Sequence, residues 1–102
     1  MRLNIRGVIG EVDSFPSSTQ IAISHGVYVP YNQRGKGIGN LAHTERLRAL
    51  REDFGYDVVV CTVDLSNVAQ ISILKNNGWT QAFQFLSSKT GHEVGFFYKE
   101  LQ

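Results

Sequence analysis

The sequence predicts a mixed α/β domain, and three observations carry that expectation. Segments with strand-like alternation, or with a short apolar run, are interrupted by two segments of helical character, in the order β-β-α-β-α-β-β. A glycine-rich loop stands where an alternating strand gives way to the first helix. The chain has 102 residues, 42% of them apolar and 11% aromatic, enough for one buried core and too few for two. One domain spanning 1–102 is expected.

Taken in order, Arg2 to Asp13 alternates loosely through Leu3, Ile5, Val8 and Val12, and reads as one strand bent at Gly7. Ser14 to Thr19, with Pro16 among serines, is a turn. Gln20 to Val29 alternates well. Ile21, Ile23, His25, Val27 and Val29 share one face, and Ala22, Ser24, Gly26 and Tyr28 the other. Pro30 ends that strand. After a loop from Tyr31 to Gly39, a helix runs to about Asp53. Its apolar residues fall in two stripes, Ile38, Leu41, Ala42 and Ala49, then Leu47, Leu50 and Phe54. Two stripes predict contact with the sheet on one side and with a neighbouring element on the other. Gly55 suits the residue after a helix end.

Tyr56 to Asp64 contains the run Val58 to Val63 and reads as a buried strand. Ser66 or Asn67 caps a short second helix that stops at Asn77 and Gly78. Trp79 to Leu86 and His92 to Leu101 form a hairpin around the turn Ser87 to Gly91. The crossover through the first helix should be right-handed and make the strands on either side of it parallel neighbours.

Composition excludes several classes of function. No apolar run reaches the length of a membrane span. The N-terminus lacks the apolar core and cleavage site of a secretory signal. The single cysteine, Cys61, builds neither a disulfide framework nor a zinc site, and it fits a reducing, cytoplasmic compartment. In its apolar run it reads as a small core residue. His43 and His92 have no metal-ligand spacing around them. The net charge is only +1, but Arg34, Lys36, Arg46, Arg48 and Arg51 stand against Glu45 alone, while Glu52, Asp53, Asp57 and Asp64 follow against Lys75. So local a positive field suits a small anionic ligand better than a nucleic-acid track.

The chemistry lies in Arg34-Gly35-Lys36-Gly37-Ile38-Gly39. Alternate glycines let the backbone turn sharply and keep side chains out of a ligand's way. The first-turn N–H groups of the helix then face outward with partial positive charge. Together they form a cradle for a phosphate or diphosphate, with Arg34 and Lys36 beside it. The spacing is not that of a P-loop, nor of the dinucleotide fingerprint, which needs GxGxxG early in the fold and an acidic residue some twenty positions on.

Val29-Pro-Tyr-Asn-Gln-Arg-Gly-Lys-Gly-Ile-Gly-Asn-Leu41 resembles the acetyl-CoA diphosphate-binding motif of the GCN5-related N-acetyltransferases, Q/R-x-x-G-x-G/A, with Arg34, Gly37 and Gly39 at its fixed positions. Asn67-Val-Ala-Gln-Ile-Ser-Ile-Leu-Lys-Asn-Asn-Gly-Trp79 is similar to the family's second segment, N-x-x-A-x-x-L-Y-x-x-x-G-F. The resemblance covers about 20 to 101 and implies a short form of that fold, with a central parallel strand pair splayed into a V-shaped slot. It also implies acetyl-CoA or coenzyme A as cofactor, held by Gln33, Arg34, Gly35, Lys36, Gly37, Ile38, Gly39 and Asn40. The backbone of Val27 and Val29 would pair with the pantetheine arm, Asn67 would contact that arm or cap its helix, and Lys75 would approach the adenosine end.

The activity so implied is acetyl transfer to a primary amine, on a protein lysine, a protein N-terminus or a small molecule. Amine acetylation needs a neutral amine, stabilisation of the oxyanion and a proton for the departing thiolate. His25 is the candidate base, with Glu11 or Asp13 able to hold a water relay. Many members of the family carry a tyrosine as acid seven residues after the asparagine; here that position is Leu74. A coenzyme A-binding module with little turnover is therefore the alternative reading. An RNA-binding sheet, suggested by Gly95-Phe-Phe-Tyr98, requires a different element order. Family members usually begin with a strand and two helices that wall the acceptor site. With about thirty residues before the loop, this chain is expected to leave that side open, to close it with a second subunit as a homodimer, or to take a large acceptor.

Overall fold

Eight elements succeed one another as β1 (Arg2–Ile5), β2 (Val8–Phe15), β3 (Ser18–Tyr28), α1 (Ile38–Glu52), β4 (Val58–Asp64), α2 (Val68–Asn76), β5 (Thr80–Leu86) and β6 (Glu93–Glu100). The computed structural model describes residues 1–15, 18–28 and 37–101, with the backbone alone at 15, 18, 19 and 26–28. The strands form one six-stranded mixed sheet in the order β1-β2-β3-β4-β6-β5. Only β3 and β4, joined through α1, run parallel.

The first expected strand is in fact a hairpin. Arg6 and Gly7 both have positive φ, 54° and 82°, and pair Ile5 with Val8 across a two-residue turn. Asn4 Oδ1 accepts from the Gly7 N–H at 3.0 Å, which steadies the reversal. The turn also explains why the apolar residues change parity there. Leu3 and Ile5 and then Val8 and Val12 are apolar on the same side of two antiparallel strands, not on two sides of one.

Both helices cover one face of the sheet. Leu50 of α1 and Leu74 of α2 share a core with Val12, Ala22, Val59, Cys61, Val63 and Phe97. The helices are also tied to each other: Asn77 Nδ2 donates to Asn40 Oδ1 at 2.9 Å, and Thr44 Oγ1 to Asn77 Oδ1 at 3.0 Å. Helix α1 buries one stripe rather than two, formed by Ala42, His43, Arg46, Ala49 and Leu50. Leu41 and Phe54, expected at contacts, are 51% and 43% exposed. Two buried positions of the stripe are polar, so apolar periodicity alone misplaces it.

The opposite face of the sheet is bare among the described residues. In β4 only the alternate residues Val59, Cys61 and Val63 are buried, while Thr62 is exposed, so this strand is covered on one side and not on both. Phe83 and Phe85 of β5 stand beside Phe96 and Val94 of β6 on the uncovered side. They are 55% and 43% exposed.

A bulge in β3 shapes the site. Ile9 pairs with Tyr28 and Glu11 with His25, so Gly26 and Val27 together oppose Gly10. An extra residue bends and twists the strand that carries it. On its other side β3 pairs with β4 only at Ile21–Val58, Ala22–Val59 and Ile23–Val60. Beyond Ile23 the two strands continue to Tyr28 and Asp64 without pairing.

Candidate functional site

The parting of β3 and β4 opens a cleft of about 250 Å³. Ser24 and His25 of β3 form one wall, Cys61 to Asp64 of β4 the other, and Asn67, Gln70, Leu74, His43 and Trp79 its helix side. Odd and even residues of β4 both reach it, so the gap passes from the helix-covered face toward the bare one.

Helix α1 follows β3 in the chain, and His43 of its second turn lines the cleft. Its N-cap, Gly37, has φ 73°, the left-handed region that glycine enters without strain. No side chain caps the helix there, and its first turn holds no acidic residue. The carbonyl of Gly37 accepts from Leu41 N–H at 3.2 Å, leaving the N–H groups of Ile38, Gly39 and Asn40 without an intrahelical acceptor. Such an end attracts an anion. A Cβ at Gly37 would meet nothing within 4 Å, so the space beside this residue is open. Val29, Gln33, Arg34, Gly35 and Lys36 lie outside the described residues. Val27 belongs to the bulge of β3, where its backbone is described.

Asn40 has two parts with separate duties. Its side chain is held by Asn77, while its N–H remains at the helix mouth. Asn67 caps α2, its Oδ1 accepting from Gln70 N–H at 3.2 Å, and it lines the cleft. Lys75 is exposed in the last turn of α2. It does not line the cleft, but it stands two residues before the Asn77 that bonds to the start of α1.

His25 lies in the cleft wall, and its Nε2 is 2.8 Å from Asp13 Oδ2. The ladder puts Glu11 opposite His25, yet the bond goes to the diagonal neighbour, within reach on the same face. The hydrogen bond from His25, helped by the N-terminal ammonium, holds the Asp13 carboxyl below its ordinary value. Of the two acids the sequence offered to His25, the structure brings Asp13.

Three further groups escape sequence reasoning. Asp64 Oδ2 bonds His92 Nδ1 at 2.7 Å, and its Oδ1 accepts from the backbone N–H and hydroxyl of Ser66. The Ser66 backbone, then His92, bring its carboxyl down to about 2. His43 accepts at Nε2 from Trp79 Nε1–H at 2.8 Å. Arg46 is 2% exposed, with Nε and Nη2 lacking any hydrogen-bond partner. A polar residue on a helix position that must face the core was the available signal for the last two. Cys61 is buried, and desolvation pushes its thiol up to about 12, which removes the thiolate a nucleophile needs. Leu74 is 1% exposed and lines the cleft without a proton to give. Among the described residues, no three His, Cys, Asp or Glu side chains gather around a metal site.

No family model and no curated protein matches the sequence. Solved structures do match the fold. The yncA protein from Salmonella typhimurium, determined with its cofactor acetyl-CoA, has a TM-score of 0.80 and 22% identity, covering 93% of this chain and 58% of that one. Spermidine N-acetyltransferase from Vibrio cholerae, in complex with CoA and spermine, gives 0.82 and 11%, over 92% of this chain and 57% of that one. An acetyltransferase of the GNAT family from Streptococcus pneumoniae gives 0.77 and 14%, over 96% and 63%. The chain therefore has the GNAT acetyltransferase fold, and it spans about 58% of the length of the first of these structures.

Proposed function

We propose that this chain binds acetyl-CoA in the gap between β3 and β4 and transfers its acetyl group to a primary amine. One observation carries the reading: β3 and β4 part, and the helix that sends His43 into the gap has an uncapped N-terminus. The fit is chemical as well as spatial. A diphosphate suits the free N–H groups of Ile38, Gly39 and Asn40, with Gln33, Arg34, Gly35 and Lys36 before them. An amide-bearing arm suits the strand edge left unpaired beyond Ile23, which includes Val27 and which Val29 follows in sequence, with Asn67 at the cleft wall. Lys75 serves the nucleotide end. Neighbours of the same fold solved with acetyl-CoA and with CoA support this choice of ligand.

Bound acetyl-CoA would supply an acyl carbon activated as a thioester, whose thiol, with a pKa near 8.5, is a fair leaving group. The chain's own part is to deprotonate and orient the amine. His25 donates from Nε2 to Asp13, leaving the lone pair of Nδ1 to take a proton from an ammonium. Asp13 fixes the tautomer and steadies the cation that forms. Cys61 takes no covalent role. The neighbour solved with spermine supports an amine acceptor.

A second reading rests on Leu74. With no acid at that position, the cleft would hold coenzyme A without turnover. A thiol-release assay against an amine panel, beside native mass spectrometry, tests both. Retained coenzyme A with amine-dependent thiol release supports the transferase. Retention without release supports the module, and no retention removes both. Self-association and a cytoplasmic setting complete the proposal: the exposed Phe83 and Phe85, beside Phe96, form an apolar face that a second copy would cover.

A further inference from the structure

The helix side of the cleft carries an imidazole among aliphatic walls. His43 is 5% exposed, sits on the buried stripe of α1 and lines the cleft with Ser24, Cys61 and Leu74. Trp79 Nε1–H donates to its Nε2 at 2.8 Å, with the two rings 5.6 Å apart. An indole nitrogen only donates, so Nε2 is the accepting nitrogen, and a neutral ring then carries its proton on Nδ1. Burial, with the Arg46 charge adding to it, pulls the ring down to about 4, which keeps it neutral at physiological pH. Nδ1 makes no hydrogen bond among the described residues. Nor is it one of the sealed-off nitrogens without a partner, which are Nε and Nη2 of Arg46. The direction left open to the Nδ1–H is the cleft.

We propose that His43 Nδ1–H is a fixed neutral donor to a carbonyl oxygen of the acyl-pantetheine arm, a role that rests on the acetyl-CoA reading above. The wall selects for an oxygen acceptor: a cation would meet the hydrogen of an N–H where an acceptor finds a partner. The diphosphate is the wrong acceptor by position, because His43 lies about 6 Å of helix rise beyond Gly39. Trp79 is a positioning residue, acting through the tautomer it imposes.

The test is imidazole ¹⁵N NMR of the wild-type protein, titrated with acetyl-CoA and with 3′-phospho-ADP, the nucleotide half of the same cofactor. Acetyl-CoA should move the Nδ1 resonance and slow exchange of its proton, and 3′-phospho-ADP should do neither. His43→Phe should weaken acetyl-CoA by about three- to tenfold and leave 3′-phospho-ADP unchanged. Saturating acetyl-CoA with an unmoved Nδ1 resonance overturns the role of His43 while leaving the cofactor reading intact, and so does an equal loss of both ligands in the variant. Absence of binding by either ligand to wild type overturns both.

Discussion

At the residue scale, His43 couples the site to stability. Its ring titrates at about 4 in the fold, against 6.5 when exposed, chiefly because burial disfavours the charged form. Between those values the unfolded chain binds the proton and the folded one does not, so stability is complete above pH 6.5 and falls as pH drops toward 4. The loss should be about 3 kcal/mol, read from urea midpoints across that window, and His43→Phe should flatten the slope. Arg46 is the opposite case, a buried cation whose Nε and Nη2 have no hydrogen-bond partner among the described residues. Arg46→Met keeps the packing and removes the desolvation cost, and should raise stability by about 1–3 kcal/mol in the same measurement. Cys61, held at about 12, should resist iodoacetamide at pH 8 in the native state and react at once in urea. His43 shares a sequence stripe with Leu47 and Leu50, which signals burial but not its Trp79 partner, and Arg46 reads as solvated until its neighbours are known.

At the scale of elements, the strand-loop-helix order around Gly37 was legible, because glycine spacing and strand alternation are local properties. The β1–β2 hairpin was not. Its turn puts a non-glycine, Arg6, at φ 54°, and no Asn-Gly or Gly-Gly pair announces it. The bulge opposite Gly10 escaped as well, since it exists only in the pairing of two strands. Of the glycine-rich loop, Gly37 caps α1 and Ile38 to Asn40 form its first turn, and Asn67 caps α2. Gly37→Leu tests the element directly. The added side chain meets open space, so the fold should survive with a loss of about 1–2 kcal/mol for the left-handed backbone. Acetyl-CoA affinity should nevertheless drop more than a hundredfold in calorimetry, because the side chain occupies the ligand's approach. Unchanged affinity would remove the helix mouth from the site.

For the whole molecule, the mixed α/β class and the parallel pairing of β3 and β4 followed from crossover geometry. The bareness of one sheet face followed from nothing local, since Val58 to Val63 reads the same whether one side or both are covered. That face makes self-association measurable. Phe85→Lys should shift sedimentation toward the monomer, whereas a wild-type protein that is monomeric throughout would dispose of the second copy.

On the proposed function, bare peptide nitrogens at the head of α1 receive a diphosphate. Backbone ¹H–¹⁵N spectra during an acetyl-CoA titration read those nitrogens one by one. The amides of Ile38, Gly39 and Asn40 should move downfield together and saturate with the ligand. Saturable binding that leaves these three amides in place would rule out a diphosphate at the helix mouth.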